Sequence, residues 1–125
     1  MGPMPLLIIC AVCLTGYAAD TYVPRLSDKE YGELAVAAEA YSRKQQPVPE
    51  PIQRLKPIEV YYHMANVVIA LHRDGHEEHG YYIHTGLSSN IPTPNIGAWR
   101  DWTLTEVKSP AIPSLDTIYE YSRRR

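Results

Sequence analysis

The chain is predicted to be an α+β protein: one N-terminal amphipathic helix, a proline-rich linker, and a small antiparallel sheet of about three strands. Three stretches support this. Ser27-Asp28-Lys29-Glu30 carries a helix-start signal, and Pro47, Pro49 and Pro51 interrupt the chain further on. Two runs rich in β-branched and aromatic residues then flank Arg73-Asp74-Gly75.

The helix comes first. Ser27 is placed to accept from the amide of Glu30 while the Glu30 carboxylate reaches back, the reciprocal arrangement of a capping box. Tyr31, Leu34, Ala35, Ala38 and Tyr41 recur at helical spacing, with Lys29, Glu33, Glu39 and Arg43 off that stripe or at its edge. Gly32 weakens the helix modestly, and the helix is expected to end near Lys44. The following QQPVPEP favours an extended polyproline conformation, so residues 45–57 read as a linker.

Residues 58–71, IEVYYHMANVVIAL, form the apolar centre. Their pattern suits a strand apolar on both faces, or a helix with Pro57 in its first turn and Gly75 past its end. The strand reading is preferred because Tyr81-Tyr82-Ile83-His84-Thr85 follows as a second strand-like run, with turn chemistry between them. Residues 87–97 read as a loop, and Trp102-Thr103-Leu104-Thr105-Glu106-Val107 alternates as a third strand. Ser109-Pro110-Ala111-Ile112-Pro113 breaks that strand, and residues 114–125 are expected to form a short helix ending in three arginines.

Ahead of the helix, residues 6–14 (LLIICAVCL) form an uncharged apolar run. It is far shorter than the ~20 residues a spanning helix needs, and small residues follow it, as in a secretory signal peptide. The signal is assigned to residues 1–18, because cleavage after Ala18 puts Gly16 and Ala18 at the two positions the peptidase reads. Residues 19–125 then form one small secreted domain. Cys10 and Cys13 leave with the signal, so their C-x-x-C spacing is not a redox motif, and the extracellular chain has no disulfide.

Composition narrows the function. With 45% hydrophobic residues and a net charge of −2 the chain can build a core, and the near balance argues against nucleic acid or an acidic membrane as partner. No Asn-x-Ser/Thr acceptor occurs, so N-glycosylation is not expected. No G-x-S-x-G, phosphate-binding glycine loop or catalytic cysteine occurs, so no enzyme and no cofactor is expected.

The aromatic usage is biased: ten tyrosines and two tryptophans against no phenylalanine. Tyrosine offers an amphipathic ring suited to interfaces, and a phenol that needs a partner when buried. The doublets Tyr61-Tyr62 and Tyr81-Tyr82 should send one ring to each sheet face. These four tyrosines, with Trp99 and Trp102, are the candidate contact or packing aromatics of a binding protein. Its partner would be a protein or an extracellular matrix component.

Two other readings stay open. A prohormone-like precursor could be cut after Arg43-Lys44 and trimmed at Arg123, Arg124 and Arg125, although Arg43 and Lys44 also complement the negative end of a helix dipole. His72, His76 and His79, with Glu77 and Glu78 between them, have ligand types suited to zinc or copper, but their spacing matches no closed zinc pattern.

Overall fold

A computed structural model describes residues 22–43, 47–86, 88–108 and 116–125. The expected signal peptide with Cys10 and Cys13, the basic residue Lys44, and the proline break at 109–113 lie outside the described residues.

Helix α1 runs Asp28–Ser42. Its capping box forms as expected: Ser27 Oγ accepts from the Glu30 amide at 3.2 Å, and Glu30 Oε1 accepts from the Ser27 amide at 2.8 Å. Such a cap contributes about 1 kcal/mol. Tyr31, Leu34, Ala37, Ala38 and Tyr41 form the buried stripe and pack against Val67, Ile69, Tyr81, Ile83 and Ile118 of the sheet.

The linker is more ordered than an extended tract. A single helical turn, α2 (Glu50–Gln53), starts behind Pro49 with Pro51 in its first turn, where a fixed φ favours the helix and the missing N–H costs nothing. Ile52 is fully buried, and Arg54 pairs with Glu50 at 2.5 Å and with Glu33 of α1 at 3.2 Å. The linker is therefore fastened to the helix.

Five strands form the sheet, not about three. They are β1 (Glu59–His63), β2 (Asn66–Asp74), β3 (Glu77–His84), β4 (Trp102–Lys108) and β5 (Thr117–Arg124), all antiparallel, in the order β1-β2-β3-β5-β4. The extra strands come from two places. Residues 58–71 are a hairpin and not a single strand, and the tail expected as a helix is β5, inserted between β3 and β4. The tail alternates after all: Ile118 belongs to the cluster under α1, while Tyr119 and Tyr121 belong to the opposite face.

The β1–β2 hairpin turns at Met64-Ala65, both in the left-handed region at φ 52° and 66°. A two-residue hairpin loop demands positive φ at both central positions, which normally selects Asn-Gly. Here two residues that dislike that conformation hold it, so the sequence carries no visible turn signal. Replacing the pair (Met64→Asn with Ala65→Gly) should raise unfolding free energy by about 1–2 kcal/mol, measured by chemical denaturation. No gain would mean that the turn is not strained.

The β2–β3 hairpin follows the expected chemistry, with Gly75 at φ 63°. Next to it the register shifts between Ala70 and His72, and there the backbones of β2 and β3 close up on Gly80. A Cβ on Gly80 would run into the Ile69 carbonyl oxygen, with the carbonyl carbon 3.0 Å and Ala70 Cα 3.1 Å away.

The second sheet face carries a smaller core of Val68, Tyr82, Trp99, Trp102 and Tyr121, with Tyr61, Leu104 and Tyr119 against it. It is capped by residues 88–101, which leave the His84 end of β3 and return to the sheet at Trp102, opposite Arg123.

Candidate functional site

The tyrosine doublets split between the faces as a strand requires. On the α1 face, Tyr62 stacks on Tyr41 at 5.2 Å and donates to the Tyr41 carbonyl at 2.6 Å. Tyr81 meets Tyr31 edge-on and donates to the Pro24 carbonyl. Tyr61 and Tyr82 lie on the opposite face. Of the six candidate aromatics, Tyr81, Tyr82, Trp99 and Trp102 are buried and Tyr61 is half-buried. Tyr62, at 41%, is the exposed one. Most of these rings can touch a partner only by leaving the core, so they act as a platform.

Two polar hubs organise that platform. The first is the Tyr82 hydroxyl, which accepts from Trp99 Nε1 at 2.7 Å and Asn66 Nδ2 at 3.1 Å. Both lone pairs are then used, so its own proton goes to His63 Nδ1 at 2.9 Å, with the His63 carbonyl at 3.3 Å as the other acceptor. That fixes the tautomer: His63 carries its proton on Nε2 and donates to the Ala98 carbonyl at 3.1 Å. Burial lowers the His63 pKa, the Ala98 carbonyl works against this, and Arg123 adds to the lowering.

Asn66 extends this hub. Fully buried, it donates a second bond to the Asn90 carbonyl at 2.9 Å and accepts from His84 Nδ1 at 2.9 Å. Both of its amide protons and its side-chain oxygen go to joining β2, β3 and the capping segment. Sequence reading passed over Asn66, because one asparagine in an apolar run does not reveal which groups it will satisfy.

Glu78 is the second hub. Its side chain has no solvent exposure, yet Oε2 accepts from both Tyr61 and Tyr121 at 2.6 Å. Oε1 accepts from Arg73 Nε at 2.9 Å and from Arg125. Burial works to raise its pKa, but the hydrogen bonds from Tyr121, Tyr61, Arg73 and Arg125 outweigh this and bring it down to about 2. The same environment pushes Tyr61 up to about 12, through burial and the bond to Glu78. Arg123 completes the group, lying 4.4 Å over the Trp102 ring and donating to the Tyr61 hydroxyl at 3.0 Å.

At the His84 end this scaffold presents an uncharged surface. Residues 88–99 contain no ionisable side chain, and Pro92 and Pro94 stiffen the middle. Ser88 Oγ and Asn90 Nδ2 both donate to the Met64 carbonyl, at 3.1 and 2.9 Å, so loop and strained turn are bound together. Beside these bonds Ile91 is 68% exposed, Ile96 64% and Met64 42%.

The other candidate residues lie elsewhere. His72 and His79 pair across β2–β3, and Tyr22 stacks on both, at 4.1 and 4.6 Å, while His76 sits in the turn. Among the described residues, no three His, Cys, Asp or Glu side chains come together as metal ligands would. Arg43 caps the end of α1 and pairs with Glu39 at 2.8 Å. Arg123 and Arg124 belong to β5, and the Arg125 amide donates to the His76 carbonyl at 2.6 Å. Among the described residues, no helix is long and apolar enough to cross a membrane.

Comparison with known protein families, curated proteins and solved structures finds no match to this chain.

Proposed function

We propose that this chain is a small secreted, non-enzymatic binding protein, and that it meets a protein or matrix partner through residues 88–98 and the Met64-Ala65 turn. The observation that carries this is a loop fixed from beneath and apolar on top. Its backbone is tied down by Asn66 and His63 and its Asn90 side chain by the Met64 carbonyl, while Ile91 and Ile96 are exposed to solvent. A preordered loop loses little conformational freedom on binding, so less of the energy of its apolar contacts is spent on ordering. Strain at Met64 and Ala65 fits the same reading, since strained backbone concentrates where function requires a particular shape. The tyrosines and tryptophans serve here as the base that holds the loop.

The precursor reading has no observation in its favour. Cleavage after Lys44 would strip α1 from the sheet face it covers, and trimming the arginines would remove partners of Glu78 and Tyr61.

The test compares wild-type protein with Ile91→Asp/Ile96→Asp as bait on extracellular material from the producing tissue. The variant should melt within about 1 °C of wild type, because both positions are exposed, yet recover at least tenfold less partner. Equal recovery by both would overturn the proposal. Intact mass of the secreted wild type tests export: a chain starting at Ala19 supports it, and a chain retaining Cys10 and Cys13 removes it.

A further inference from the structure

We infer that His63 is a proton-operated latch on the binding loop, holding it when neutral and releasing it when protonated. The inference rests on the loop reading above and follows from counting protons at one oxygen. The Tyr82 hydroxyl has two lone pairs and one hydrogen. Trp99 and Asn66 fill the lone pairs, and the hydrogen goes to His63 Nδ1. Each donor has one acceptor, and the arrangement is complete only while Nδ1 lacks a proton.

A proton added at Nδ1 makes that nitrogen a donor aimed at an oxygen with no acceptor capacity left. One of three contacts must then break: Trp99 Nε1, Asn66 Nδ2, or His63 itself. Trp99 and Asn66 are two of the points where the segment is pinned to the sheet, Trp99 by its indole and Asn66 through the Asn90 carbonyl, beside the bonds at the Ala98 and Met64 carbonyls. Burial among Trp102 at 4.8 Å, Trp99 at 5.5 Å and Tyr82 at 5.8 Å also keeps water from the imidazolium. Arg123 of β5 is the charged group that acts on it, and it opposes a second positive charge.

The sign follows. With a folded pKa below the unfolded value, His63 binds its proton more weakly in the native loop than in the opened one, so the closed state loses stability as pH falls below about 6.5. The loop would hold its partner at neutral pH and let go in an acidified compartment or fluid.

The experiment follows the Trp99 indole proton and the His63 ring by NMR on the full secreted chain, from about pH 7.5 to pH 4.5. Wild type should show hydrogen exchange at Trp99 Nε1, corrected for its intrinsic pH dependence, rising by about tenfold or more in step with protonation of His63. His63→Gln is the control, since an amide can accept from Tyr82 and donate to Ala98 without titrating. It should keep Trp99 protected throughout. The inference is overturned if His63 protonates while Trp99 stays protected, if His63 remains neutral to pH 4.5, or if His63→Gln shows the wild-type pH dependence. These readouts need no partner. A working latch combined with equal partner recovery by the isoleucine double variant would retain the switch and discard the surface assigned to it.

Discussion

Glu78→Gln lowers the unfolding free energy by about 3–5 kcal/mol at neutral pH. The reason is the company this carboxylate keeps. It has no exposed surface, and two arginines and two tyrosines direct their protons at it. A neutral amide cannot satisfy Arg73 and Arg125 together and brings donors of its own into a site already crowded with them. Denaturant melts of both proteins across pH provide the check. The difference should be full above pH 4.5, the ordinary carboxyl value, and shrink as pH falls toward about 2, where the native carboxylate takes up its proton. The sign is that of a depressed acid: Glu78 supplies stability above its unfolded pKa and loses it through its folded one. A pH-independent difference, or one below about 1 kcal/mol, would show that the buried charge is not paired as described.

Gly80→Ala costs about 3 kcal/mol or more, the second large effect. The added methyl meets backbone and not a movable side chain, so relief requires β2 and β3 to separate at their closest approach. The space also matters to the Glu78 hub, because Gly80 pairs with Ala70 on one side and Tyr121 on the other. Two small residues side by side leave room over the sheet for the Tyr61 and Tyr121 rings to converge on Glu78. A melt within about 0.5 kcal/mol of wild type would contradict this packing.

Much of the architecture was readable beforehand, and the reasons are local. The capping box at Ser27 and the turn at Gly75 are chemistry between near neighbours, and both formed as read. The Met64-Ala65 turn was invisible because the residues there oppose the conformation they adopt, and only Ser88 and Asn90, two dozen residues away, hold the carbonyl between them. The tail, expected as a short helix, is a strand held by distant partners, since Arg123 lies on Trp102 and Arg125 reaches Glu78. For the candidate surface, the aromatics were found as residues but not as a base. That role depends on which hydroxyl meets which donor, a matter of tertiary distance. Ile91 and Ile96 drew no notice because isolated apolar residues in a loop are unremarkable until their surroundings are known.

The position of β5 between β3 and β4 has a kinetic consequence. Emerging in order, the chain can zip β1, β2 and β3 into hairpins at once, but β4 has no neighbour to bond with until the strand after it arrives. The second face, with Trp102 and Tyr121 on those two late strands, therefore condenses in a single closing event. Until then the segment of residues 88–101 has no completed face of Trp102 and Tyr121 to close on, so the loop acquires its shape last.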